Sequence, residues 1–216
     1  MITKSFKWHP QPSSVRKSTA AAKKACIRGA VILDCFCGGG SHAVASIQAG
    51  AKKFIGTDLE DFSFCLRKDI ARYNGAYTTF EGEQAVTFEW GIDARESIRT
   101  HDYDILFIDP PNPHQIVGGA TKSVIRDTGL SGSKLTKFWK GRLSEKNLIN
   151  KREDTIKTVE EIITESLDRG KRVITNLFTI KSNGFDYHAR FFDDGFHSTL
   201  IFESYYEINT PPNRRE

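Results

Sequence analysis

Nothing in this sequence approaches the roughly 20 consecutive apolar residues that cross a bilayer. The N-terminal stretch MITKSFKWHPQP also lacks the apolar core of a secretory signal. No membrane partner is therefore expected, and the expected location is cytoplasmic. Cysteine is scarce: the four, Cys26, Cys35, Cys37 and Cys65, crowd into the first third and form no C-x-x-C pair. That spacing argues against a structural zinc site and leaves reduced thiols as the expected state. His9 and His114 have no carboxylate-rich company, so no metal site is expected either. Internal repeats and a linker to a second domain are missing as well. What is present, 216 residues with 38% hydrophobic and 11% aromatic content, is enough for one well-packed domain.

Acid is missing from one whole segment. Residues 1 to 30 carry seven Lys and Arg and no Asp or Glu, and residues 112 to 152 carry nine against Asp127 and Glu145. Each segment is thus strongly basic while the chain as a whole is only +4, so the remainder is acidic. A basic arm over 1–30 and a basic insertion at about 112–150, attached to a single domain over 31–216, fit a polyanionic partner whose phosphates meet those segments. In the insertion, Lys122, Arg126, Lys134, Lys137, Trp139, Lys140 and Arg142 are the candidate nucleic-acid contacts. A stretch of that length without periodicity is too long for an ordinary connection in a compact domain.

The rest of the chain alternates. AVILDCF reads as a buried strand, SHAVASIQAG as a helix closed by Gly50, KKFIGTD as a second strand, and DFSFCLRKDIARYNG as a helix ending at Gly75. AVTFEWG and YDILFID supply two more strands, the latter almost continuously apolar. After the insertion come an amphipathic helix in REDTIKTVEEIITESLDRG, a fifth strand in KRVITNLF, a short helix in DYHARFFDDG and a final strand or pair in FHSTLIFESYYEI. Such alternation predicts an α/β fold: a mostly parallel sheet with helices on both faces.

In open α/β sheets ligands bind beyond the carboxyl ends of the strands, where glycine lets the backbone come close. Gly38, Gly39 and Gly40 end the first strand, and Asp58 ends the second, placed to accept hydrogen bonds from ribose hydroxyls. The turn reads C-G-G-G-S-H, with Ser41 and His42 where G-x-G-x-x-G would put its third glycine, and a dinucleotide is therefore disfavoured.

DCFCGGGSH resembles the D-x-F-C-G-S-G-T signature of S-adenosylmethionine-dependent amino-methyltransferases acting on nucleic acids, in particular the DNA adenine-N6 and cytosine-N4 methylases. Their second signature, (D/N/S)-P-P-aromatic after the fourth strand, is similar to LFIDPPNP here. The likeness covers roughly residues 6 to 112. It implies a class I, Rossmann-like methyltransferase fold with S-adenosyl-L-methionine as cofactor. By placement it implies that Asp34, Cys35, Phe36, Cys37, Gly38, Gly40, Asp58, Leu59, Asp93 and Ala94 line the cofactor site. It likewise implies that Asp109, Pro110, Pro111 and Asn112 form the catalytic set. Asp93 resembles the acid that holds the cofactor's adenine amino group, with a helix N-cap before ARESIRT as the second reading. FKWHPQPSS resembles an H-P-x-P stretch found ahead of the glycine motif in several DNA amino-methylases. Cys35 and Cys37, alternating with Phe36, are expected to be packing residues.

Methylating an exocyclic amine requires its delocalised lone pair to be drawn back onto nitrogen. The Asp109 carboxylate and the Pro110 carbonyl, both accepting N–H bonds from the amine, would do this by positioning and electrostatics, with no raised pKa required. Pro111 would fix the carbonyl direction. No Pro-Cys pair for ring-carbon methylation occurs, nor the H-x-E and P-C-x-x-C of zinc deaminases. Asn112 departs from the family's aromatic: either its amide hydrogen-bonds a base edge, or stacking moves to Phe178 or Trp139, or the site takes no flipped base. DNA is the first expected substrate. The alternatives are an RNA guanine-N2 methylase, a methyltransferase-like subunit that binds nucleic acid without turnover, and a methylase of small molecules or proteins. All require the tips of the first and fourth strands to converge on one crevice.

Overall fold

The computed structural model describes residues 12–61, 85–110, 145–176, 192 and 195–211, with the side chains of 12–14 and 145–153 excepted. Seven strands form one sheet: β1 (Val31–Asp34), β2 (Lys53–Asp58), β3 (Val86–Trp90), β4 (Ile105–Ile108), β5 (Arg172–Thr175), β6 (His197–Phe202) and β7 (Tyr205–Thr210). Their order across the sheet is β3-β2-β1-β4-β5-β7-β6. The first five pair in parallel, whereas β7 runs antiparallel to both β5 and β6. The expected final strand or pair is a pair, turned at Glu203, whose φ is +47°.

Alternation of side chains sends successive strand residues to opposite faces. On one face Leu33, Ile55, Leu106, Ile108 and Val173 join a core with Ile98, Val159, Ile162 and Ile163. These come from helices α3 (Ala94–Thr100) and α4 (Glu145–Asp168). On the other face Ile32, Phe54, Ile105, Phe107 and Ile174 pack with Ala21, Ala22 and Ala43, from α1 (Pro12–Lys24) and α2 (Ser41–Gln48). Covering both faces is what makes the parallel strands continuously apolar.

Two elements differ from the sequence expectation. Part of the segment read as a basic arm is α1, in which Val15, Ser18, Ala21 and Ala22 are buried while Arg16, Lys17, Lys23 and Lys24 stay exposed. Spacings of three and four make that a buried stripe with a basic outer face. Further along, α4 starts at Glu145, inside the stretch assigned to the insertion. Its first residues, EKNLINK, include good helix formers, and propensity rather than apolar spacing marks them. The expected helix at 61–75, the short helix in DYHARFFDDG and most of the insertion fall outside the described residues. Among the described residues no helix is long and apolar enough to cross a membrane.

Candidate active site

The chain runs outward from β1 through β2 to β3, then returns to the other side of β1 as β4. The reversal makes the carboxyl ends of β1 and β4 a switch point, where open α/β sheets form their ligand crevice. Leu33 and Asp34 of β1 pair with Leu106 and Phe107 of β4, which sets the glycine turn beside the Asp109-Pro110 exit.

The turn is built by hydrogen bonds. Gly40 donates its N–H to the Cys37 carbonyl at 2.8 Å, and Cys37 donates to the Thr57 carbonyl at 3.2 Å. Gly38 has φ +45° and Gly40, the N-cap of α2, has φ +80°, values that a residue with a Cβ adopts only with strain. A Cβ built on Gly38 meets no atom within 4 Å, so this turn presents bare backbone to open space. The Asp58 carboxylate accepts from Gly38 N–H through Oδ2 at 3.1 Å and from Glu60 N–H through Oδ1 at 3.1 Å. Two oxygens offer about four acceptor sites, so half of its capacity is left for a ligand. Burial pushes this carboxyl up to about 6, against the pull of the two backbone N–H groups. Leu59 beside it is 65% exposed.

Of the other expected cofactor residues, Asp34, Cys35, Cys37 and Ala94 are buried, while Phe36 and Asp93 are half-buried. Asp34 is turned inward: Oδ1 accepts from Phe36 N–H at 3.0 Å and Oδ2 meets His42 Nδ1 at 2.8 Å. Burial raises the Cys35 thiol to about 12 and lifts Cys37 still further, so both are neutral packing groups, as their spacing suggests. Asp93 is the N-cap of α3, accepting from Arg95 N–H at 2.8 Å. The helix-cap reading is the geometry seen.

At the exit of β4, Pro110 is buried and the Asp109 side chain is 37% exposed. Desolvation pushes the Asp109 carboxyl up to about 6; the His42 charge opposes the rise and the Asp34 charge adds to it. The chemistry read from the sequence requires no raised pKa here, and burial supplies one. Pro111 and Asn112 lie outside the described residues, as do Lys122, Arg126, Lys134, Lys137, Trp139, Lys140, Arg142, Phe178, His9 and His114.

Sequence reasoning missed three residues here. His42 lies between the two motifs, with Nε2 3.7 Å from Asp109 Oδ2 and its ring 4.3 Å from that of Phe107. Tyr205 of β7 stands edge-on to His42 at 6.3 Å, its hydroxyl 2.6 Å from Ser18 Oγ of α1. Asn176, just after β5, is buried with an Oδ1 that has no hydrogen-bond partner among the described residues. Only His42 left a sequence signal, a titratable ring among the small residues of SHAVASIQ.

The strand order, the reversed β7 and the crevice at the β1/β4 switch point define a class I, Rossmann-like methyltransferase fold. Residues 2–133 match the family model described as Conserved hypothetical protein 95, and the chain belongs to that family. No curated protein matches it. Among solved structures it is similar to one titled only as PH0851, at 13% identity and TM-score 0.49, over 89% of this chain and 45% of that one. A proposed RNA methyltransferase from Pyrococcus horikoshii has 14% identity and TM-score 0.43, over 95% and 84%. The ribosomal protein L11 methylase of Lactobacillus delbrueckii subsp. bulgaricus has 12% and 0.42, over 91% and 77%. The chain spans less than half the length of the first of these.

Proposed function

We propose that this protein transfers the methyl group of S-adenosyl-L-methionine to an exocyclic amino nitrogen of a nucleic-acid base. The observation that carries the reading is that the glycine turn and the Asp109-Pro110 exit leave neighbouring parallel strands at the same end, with His42 Nε2 3.7 Å from Asp109 Oδ2. The residues present suit the cofactor: bare backbone at Gly38, a half-committed carboxylate at Asp58 for the ribose hydroxyls, and an exposed Leu59 against the adenine. When bound, the cofactor supplies an electrophilic methyl on a sulfonium. The chain's own part is to hold the amine. The Asp109 carboxylate and the Pro110 carbonyl accept its two N–H groups, pull nitrogen toward tetrahedral geometry and offset the positive charge that grows on it. Because the Asp109 side chain is partly exposed, it can reach a base presented from outside.

DNA adenine N6 or cytosine N4 is the substrate supported by the order of the two motifs. The second reading is guanine N2 of RNA, whose methylases share the fold and the Asp-Pro-Pro motif that Asp109, Pro110 and Pro111 supply. The experiment is transfer of a labelled methyl group onto duplex DNA, single-stranded DNA, ribosomal RNA and transfer RNA. Label in RNA alone overturns the DNA reading, and label in none overturns the methylase. Asp109→Ala is expected to lower transfer by roughly a hundredfold or more, the scale of losing one electrostatic contact to a transition state. Binding of S-adenosylhomocysteine, measured by calorimetry, should survive. Equal loss of both would make Asp109 a structural residue.

A further inference from the structure

At the tips of β1 and β4, three ionisable side chains, Asp34, His42 and Asp109, stand in a row of which the transfer reading uses Asp109 alone. His42 is 5% exposed and Asp34 is 1% exposed. The imidazole meets one carboxylate at hydrogen-bond distance through Nδ1 and faces the second, Asp109, through Nε2 at 3.7 Å. That gap is too long for a hydrogen bond but short for two charges in a poorly solvated place. The ring is packed against Phe107 and edge-on to Tyr205, so it cannot swing away. From the geometry we infer that His42 is a positioning residue, an imidazolium anchored by Asp34 that keeps the Asp109 carboxylate ionised and directed toward the incoming amine. This inference rests on the methyl-transfer reading of the same site.

The balance of charges supports it. A carboxylate at an apolar strand tip, with a second carboxylate nearby, is driven toward its neutral form, and a neutral Asp109 accepts an amine N–H poorly. A cation behind it opposes that drive. His42 can be that cation: burial lowers its affinity for a proton, yet the hydrogen bond to Asp34 and the charges of Asp34 and Asp109 outweigh this and hold its pKa above 6.5. The groups facing it are Asp34 from β1, Asp109 from the end of β4 and Tyr205 from β7. Tyr205 is raised to about 12 by burial and the neighbouring Asp109 charge, so it stays neutral. Asp34 is buried and turned onto Phe36 N–H and His42, so it cannot itself reach the substrate.

Two measurements on the full chain test the inference. The first follows the His42 imidazole by nitrogen-15 NMR titration. The expected result is a midpoint above that of a free imidazole that falls in Asp109→Asn, because a neighbouring anion has been removed. A midpoint at the ordinary value that Asp109→Asn leaves unchanged overturns the inference, whatever the enzyme does. The second is the pH profile of methyl transfer for His42→Gln, on whichever nucleic acid the wild type labels. Its acidic limb should move to higher pH, costing about tenfold in rate per unit of displacement on that limb. The rate should recover in alkali, and affinity for S-adenosylhomocysteine should be unchanged. A loss of equal size at every pH means that His42 only packs, which overturns the positioning role. If the wild type labels no nucleic acid while the titration shows the coupling, the methylase reading falls and the charge relation between His42 and Asp109 stands.

Discussion

At the scale of single residues, two carboxyl groups of the crevice make its behaviour depend on acidity. Asp58 and Asp109 ionise near about 6 instead of 3.8, so both are acceptors above that value and lose this capacity as the pH falls through it. The rate is expected to fall below about pH 6 through Asp109, and cofactor affinity to weaken over the same window through Asp58. Calorimetric titration with S-adenosylhomocysteine at several pH values, set beside the rate profile, separates the two. Asp58→Ala should weaken that binding roughly ten- to a hundredfold, the scale of one hydrogen bond to a charged group. The positions of Asp58 and Asp109 were legible in the sequence because Asp58 ends β2 and Asp109 directly follows the apolar run of β4. His42 was not, because the charges it serves are fixed by the pairing of β1 with β4, which no local pattern encodes.

Among the elements, the fit between β2, β3 and the glycine turn is the least forgiving. A Cβ on Gly56 would stand 2.8 Å from Phe88 Cδ1 and 2.9 Å from Cys37 Cβ, and the latter belongs to a residue fixed by the turn. Gly56→Ala is expected to destabilise the protein by about 1–3 kcal/mol, the range for overpacking a core, as read by urea unfolding. On the face of the sheet that carries α4, the hydroxyl of Tyr103 lies 2.8 Å from Ser166 Oγ, joining the start of β4 to that helix in a buried place. Tyr103→Phe should cost about 1 kcal/mol in the same experiment. Five parallel strands and α2 could be read from apolar runs and glycine stops. The start of α4 and the burial of α1 could not, since lysines on a helix's outer face look the same in sequence as lysines on a free tail.

For the molecule as a whole, charge is the property that selects partners. Two segments are basic and the rest is acidic, so affinity for nucleic acid should fall steeply between low and physiological salt, as bound counterions are released. Filter binding across a salt series reads this directly, and a flat response would remove the polyanion argument. The charge separation was plain in the sequence. The joining of the chain's distant parts was not: Ser18 and Tyr205 meet in a buried hydrogen bond across 187 positions. That joint sets an order of events on the ribosome. The glycine turn, Asp58 and Asp109 all emerge well before Tyr205, yet the wall behind His42 is complete only once that tyrosine has been made and has docked on α1. A nascent chain stalled short of β7 should therefore carry every motif of the enzyme without a finished site.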